Sequence, residues 1–231
     1  MPKEQKAALV LGGSGSIGAA VVKRLTEADC FVMAVGRTDA RFNDLLKEAP
    51  QAKMYAADCT SEAEVRRCVA DCLALAGRLD FVVHTVAIDP DPDTPLSRYP
   101  TDRWQRTIAT YLTSFFLTFR ECLPVMKPKG HILAVSSAVT RIPGNKLPPF
   151  FVGHYAASKA GLDELCKWAR REAHQRGILL SRIAPSACDV PFHRNAPAYR
   201  RAPALLPLNQ VADVIVRSLL SAREIDEQML A

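Results

Sequence analysis

The stretch Ala7-Ala8-Leu9-Val10-Leu11-Gly12-Gly13-Ser14-Gly15-Ser16-Ile17-Gly18 decides the fold. Five apolar residues run without a break into a cluster of glycines. From Ile17 to about Ala28 the apolar positions Ala20, Val21, Leu25 and Ala28 then recur with helical spacing. The order is strand, glycine turn, helix. Glycines permit a tight turn and a close approach of the main chain to a pyrophosphate. The unpaired N–H groups of the first helical turn attract its negative charge. Gly12, Ser14, Gly15, Ser16, Ile17 and Gly18 are therefore candidate contacts of a dinucleotide.

A second strand, Phe31 to Val35, runs into Gly36-Arg37-Thr38, and Gly36 lies 18 residues past Gly18. An acidic residue at about this distance would grip the ribose 2′-hydroxyl of NAD. Glycine and arginine stand there instead. A glycine leaves room for a 2′-phosphate and a guanidinium pairs with one, so Arg37 favours NADP over NAD. Further along come a short helix (Arg41 to Glu48), a strand (Lys53 to Ala57) and Asp58 at that strand's carboxyl end. Next are a helix Glu62 to Ala76 capped by Thr60 or Ser61, and a fourth strand Leu79 to Val86. Repeated strand–helix alternation predicts an α/β fold with a doubly wound parallel sheet, which binds its ligands at the carboxyl ends of the strands. Asp58 is placed to meet an adenine amino group or to shape the turn.

After a proline-rich loop from Ala87 to Pro100, one long helix is expected over about Thr101 to Met126. A fifth strand, His131 to Val135, ends in Ser136-Ser137. The next helix, from Tyr155 to about Gln175, holds Tyr155 and Lys159 four residues apart, one turn along the same face. An ammonium beside a phenol favours the phenolate and lowers a pKa that starts near ~10, which suits a general acid or base. A sixth strand, Ile178 to Ile183, leads to Pro185, and a last helix covers about Asn209 to Ala222. The irregular stretches 138–152 and 186–207 are expected to bind substrate. His154 is read as loop structure rather than a base, His84 at its strand end either lines the cofactor groove or packs there, and His193 carries no assignment.

At 231 residues, 48% hydrophobic and 23% charged, the chain suits one α/β domain over 1–231. No apolar run approaches the ~20 residues a membrane helix needs, and the start lacks a signal-peptide pattern, so a cytoplasmic protein is expected. Seven scattered cysteines without a C-x-x-C pair point to buried reduced thiols rather than a metal site. The net charge of +6 is spread over basic doublets without a nucleic-acid module, so no nucleic-acid partner is expected.

Taken together, the glycine turn, Asp58, the Ser-Ser strand end, Tyr155-x-x-x-Lys159 and the Pro185 loop resemble the short-chain dehydrogenase/reductase family over about residues 7 to 222. The resemblance implies a Rossmann-type three-layer fold binding NADP(H). Its cofactor contacts extend from the glycine turn to Arg37, Asp58, Ala87, Lys159 and Pro185. It further implies that Ser137 orients a substrate carbonyl, Tyr155 exchanges the proton and Lys159 holds the nicotinamide ribose. The activity implied is reduction of a hydrophobic ketone, or the reverse oxidation, in a homodimer or homotetramer. Several positions depart from the family pattern. Ser16 stands for a glycine, and His84-Thr85-Val86-Ala87 replaces the usual Asn-Asn-Ala-Gly. Tyr111 aligns with an asparagine of the proton relay, Val190 replaces a threonine, and only Gln228 to Ala231 offers a fragment of a seventh strand. These departures leave open a non-redox isomerase, dehydratase or cyclase, or a cofactor-binding regulator without turnover.

Overall fold

In the computed structural model, residues 5–37, 40–88, 91, 94–144, 152–190 and 205–230 are described. Residues 145–151 and 191–204, the greater part of the two expected substrate segments and the position of His193, lie outside them. Seven parallel strands form one sheet in the order β3-β2-β1-β4-β5-β6-β7. They are β1 (Ala7–Leu11), β2 (Phe31–Gly36), β3 (Lys53–Ala56), β4 (Phe81–His84), β5 (His131–Val135), β6 (Leu179–Pro185) and β7 (Asp226–Leu230). The helices are α1 (Ser16–Glu27), α2 (Ala40–Glu48), α3 (Glu62–Ala76), α4 (Thr101–Ile108), α5 (Ser114–Cys122), α6 (Gly153–Gln175) and α7 (Leu208–Leu220).

The continuous apolar run of β1 is explained by burial on both faces. Ala8 and Val10 join the core formed with Val21, Val22 and Leu25 of α1 and Val211, Ile215 and Leu219 of α7. Leu9 and Leu11 point the other way, into Cys68 and Cys72 of α3, Phe115 and Phe119 of α5, and Leu162, Cys166 and Ala169 of α6. Each fully buried leucine contributes about 2 kcal/mol, so a one-residue slip of this strand is strongly disfavoured. Helix α3 starts where Ser61 Oγ accepts from the Glu64 N–H. It stops at Gly77, whose φ of 69° suits glycine and lets its N–H reach Leu73 O.

Two elements differ from expectation. The long helix is interrupted between α4 and α5 by a π turn, Ala109–Thr113. Side-chain competition is the local cause: Ser114 Oγ donates to Thr110 O at 2.5 Å and Thr118 Oγ1 to Ser114 O at 2.7 Å. The seventh strand is a full five residues, paired parallel to β6. Polar contacts anchor its start. Arg170 grips both carboxylate oxygens of Asp226 at 2.8 and 2.9 Å, and Ser181 Oγ accepts from Ile225 N–H at 2.7 Å. Among the described residues no helix is long and apolar enough to cross a membrane, and no group of three His, Cys, Asp or Glu is placed to hold a metal. All seven cysteines are buried and unpaired with one another.

Candidate active site

Because every strand is parallel, Gly12, Gly36, His84, Val135 and Pro185 all mark carboxyl ends on the same edge of the sheet. The glycine turn is as tight as its sequence implies. Gly12 has φ +81°, and a Cβ there would lie 2.6 Å from the Thr85 carbonyl carbon. A Cβ on Gly18 would press into the Gly12 carbonyl and stand 2.8 Å from Thr85 Oγ1, so the turn packs directly on the loop after β4. Gly36 lets Ser14 Oγ rest where a side chain would otherwise be. Over Gly15 the space is open, with only Gly12 O near at 3.2 Å. Gly15 caps α1 without a side chain, and no acidic residue occupies the first turn of Ser16, Ile17 and Gly18. This cradle fits the pyrophosphate of a dinucleotide.

The remaining expected cofactor contacts vary. Arg37 follows β2 and is exposed, as is Ala87 beyond β4, whereas Pro185 is buried at the end of β6. Asp58 builds its own turn: Oδ1 accepts from Thr60 N–H at 2.8 Å and from Thr60 Oγ1 at 2.7 Å. The turn-shaping role is the one observed. Its backbone N–H donates to Glu64 Oε2 at 2.9 Å, which ties β3 to the start of α3.

Tyr155 and Lys159 leave α6 together, and a third aromatic residue joins them. The Tyr111 ring meets Tyr155 edge-on with centroids 5.0 Å apart. Lys159 Nζ lies 4.7 Å from the Tyr111 centroid and 5.9 Å from that of Tyr155. It donates to Val135 O at 2.8 Å, at the end of β5. Burial pulls the Lys159 ammonium down from 10.5 to about 8, with Asp163 acting in the opposite direction. Near neutral pH the amine is still mostly charged, and a positive charge close to a phenol favours its ionised form. The Tyr111 hydroxyl bonds to the Ile88 peptide, donating to Ile88 O and accepting from Ile88 N–H. The π turn sets this direction, since Tyr111 is its central residue.

Ser137 directly follows β5 and is half-buried, its hydroxyl accepting from Val139 N–H at 3.3 Å and keeping its proton to donate. His84 is fully buried, 2.8 Å from Ser114 Oγ. Because Ser114 spends its proton on Thr110 O, His84 Nε2 is the donor and Nδ1 is unprotonated. Burial, and then the charge of Lys159, hold this imidazole down at about 3. His154, expected in a loop, instead lies in the first turn of α6, buried and stacked on Tyr99 at 4.1 Å.

One group escaped the sequence reading. Asp163, one turn beyond Lys159, accepts from Ser136 Oγ, from Thr140 Oγ1 at 2.9 Å and from Arg182 Nη1 at 3.0 Å. The available signal was an arginine inside an otherwise buried strand, which demands an acid partner.

Comparison with known proteins agrees with this fold. The sequence profile of the family described as short chain dehydrogenase matches residues 6–200. An uncharacterised oxidoreductase of Staphylococcus epidermidis is 23% identical over 219 residues, covering 94% of this chain and 91% of that protein. A short-chain dehydrogenase/reductase from Serratia marcescens superposes with a TM-score of 0.88 at 21% identity, covering all of this chain and 98% of the other. A blue fluorescent protein from a metagenomic library, crystallised in complex with NADPH, superposes with a TM-score of 0.87 at 21% identity over 97% and 96% of the two chains.

Proposed function

The chain belongs to the short-chain dehydrogenase family, and on that premise we propose that it is an NADP(H)-dependent oxidoreductase acting on a ketone or the matching secondary alcohol. The carrying observation is the cluster of Tyr155, Lys159 and Tyr111 beside the carboxyl end of β5, on the same sheet edge as the glycine cradle. Bound NADPH would supply the hydride for the carbonyl carbon. Ser137 donates a hydrogen bond to the carbonyl oxygen, and Tyr155 delivers the proton to that oxygen as the alcohol forms. Lys159 holds positive charge next to the phenol throughout and presents its remaining N–H groups to the nicotinamide ribose.

Exposed Arg37 and the absence of an acid at the end of β2 support NADPH, as does the NADPH bound to the metagenomic relative. The sequence Pro148-Pro149-Phe150-Phe151-Val152 supports a fairly hydrophobic substrate. Seven unpaired thiols support a reducing, cytoplasmic setting. Exposed Trp104, Phe116 and Trp168 on α4, α5 and α6 support a homodimer or homotetramer built through these helices.

The test is NADPH oxidation, followed by the loss of its nicotinamide absorbance, across ketones of graded size. Turnover that falls at least ~10³-fold in Tyr155→Phe is the expected result. No oxidation with any ketone, or an unchanged rate in Tyr155→Phe, overturns the proposal. Product formed without net nicotinamide oxidation would instead identify a non-redox use of Tyr155 as acid and base.

A further inference from the structure

The segment that carries Ser137 is tied to α6 at three points. Lys159 holds the Val135 carbonyl at 2.8 Å. One turn further along the same helix, the Asp163 carboxylate receives Ser136 Oγ on Oδ1 and Thr140 Oγ1 on Oδ2 at 2.9 Å. Thr140 Oγ1 also stands 3.1 Å from Ser137 O, so Ser137 is spanned by two hydroxyls that answer to one carboxylate. Both oxygens of Asp163 are thereby occupied on the side facing the loop.

The counter-charge comes from β6. Arg182 reaches Asp163 Oδ1 with Nη1 at 3.0 Å and lies 3.7 Å from Asp226 Oδ1, its side chain 2% exposed. Its neighbours Ser181 and Ile183 are fully buried. An apolar residue would serve the sheet at least as well here, because a buried ion pair recovers its desolvation cost only with excellent geometry. What an apolar pair cannot do is fix the directions of two hydroxyls. An aspartate locked by a guanidinium presents acceptors at set positions; the Ser136 proton points there, and the Thr140 proton is shared between Asp163 Oδ2 and Ser137 O.

We propose that Asp163, locked by Arg182, is a positioning residue that sets the Ser137 segment against Tyr155 and Lys159. The proposal rests on the oxidoreductase reading for its kinetic arm and on hydrogen exchange for its other arm. Displacement of a reacting group by about 1 Å costs on the order of 10²-fold in rate, which is the expected loss in kcat. Substrate-free NADPH affinity is expected to stay within about twofold, since none of the glycine-turn residues touches Asp163.

Two variants test it. Asp163→Leu with Arg182→Met replaces the pair by apolar groups of similar size, a change that often preserves stability. Ser136→Ala with Thr140→Val keeps the pair and removes the tethered hydroxyls. Both are expected to lose about 10²-fold in kcat, to keep NADPH affinity and thermal midpoint, and to exchange the amides of 137–141 faster while β5 and β6 stay protected. Wild-type kcat in a folded double variant, or unchanged exchange over 137–141, overturns the proposal. If the first variant fails to fold, the second decides alone. A wild-type protein that turns over no ketone fails the oxidoreductase reading, and the exchange measurement still judges the tether.

Discussion

Lys159→Met separates what this lysine costs the fold from what it gives the reaction. Lys159 is 4% exposed, and burial lowers its pKa from 10.5 to about 8. At about 1.4 kcal/mol for each tenfold change in proton affinity, that drop corresponds to roughly 3 kcal/mol. Below pH 8 the folded chain carries the charge and bears the full cost. Between pH 8 and 10.5 the unfolded chain binds more protons than the folded one, so stability rises with pH, and above 10.5 neither form is charged and the cost is gone. Methionine has a similar length and no charge. It forfeits the hydrogen bond to Val135 O, worth about 1–2 kcal/mol, while its thioether replaces much of the packing on Tyr111. Lys159→Met is therefore expected to be about 2 kcal/mol more stable at pH 7, or roughly 4–8 °C in Tm for a chain of this length, and inactive. Urea unfolding of both proteins at pH 7, 8.5 and 10.5 reads the difference. The advantage should disappear by pH 10.5. A gap that stays constant with pH, or a variant less stable than wild type at pH 7, refutes the reasoning.

Other consequences follow from neighbouring features. Gly18→Ala forces a methyl group into the Gly12 carbonyl and should cost about 1–3 kcal/mol together with NADPH binding, read by Tm and nicotinamide fluorescence. Arg37→Glu should lower the preference for NADPH over NADH by about 10–100-fold in kcat/KM, the worth of one charged hydrogen bond to phosphate. His84 and His131 are held neutral by burial, down to about 3 and about 4 respectively. Their stabilising effect is complete above pH 6.5 and is lost as pH falls below it, because the unfolded histidines then bind protons the folded ones refuse. The urea midpoint should drop steeply between pH 6.5 and 4, and His84→Gln should flatten that drop. Tyr111→Phe should retain the ring against Lys159 and most activity, whereas Tyr111→Leu should lose about tenfold or more, measured as kcat at pH 7.

Much of the scaffold is written in local signals. The run of β1 into the glycines, the cap at Ser61 and stop at Gly77, and the spacing of Tyr155 and Lys159 each depend on residues close in sequence, and each stands where it is expected. What was not legible depends on partners far along the chain. The π turn arises where Ser114 competes for a carbonyl while His84, 30 residues away, holds its hydroxyl. Strand β7 lacks a clear apolar pattern because its entry is fixed by Arg170, 56 residues earlier. Arg182 looks out of place in β6 until Asp163 is brought over it by the packing of α6. Tyr111 could be aligned from sequence, but whether its hydroxyl or its ring faced Lys159 depended on the helix widening into a π turn at that point.

The buried cysteines give the molecule an internal clock. Burial pushes Cys59 and Cys166 up to about 12 and Cys72 and Cys188 up to about 11, and Cys30, Cys68 and Cys122 move in the same direction. Alkylating reagents attack thiolates, so the native chain should be silent to them and each opening should expose new sites to labelling. Counting the labels by mass after a brief pulse would report how often, and how cooperatively, the two sides of the sheet come apart, with no probe engineered into the protein.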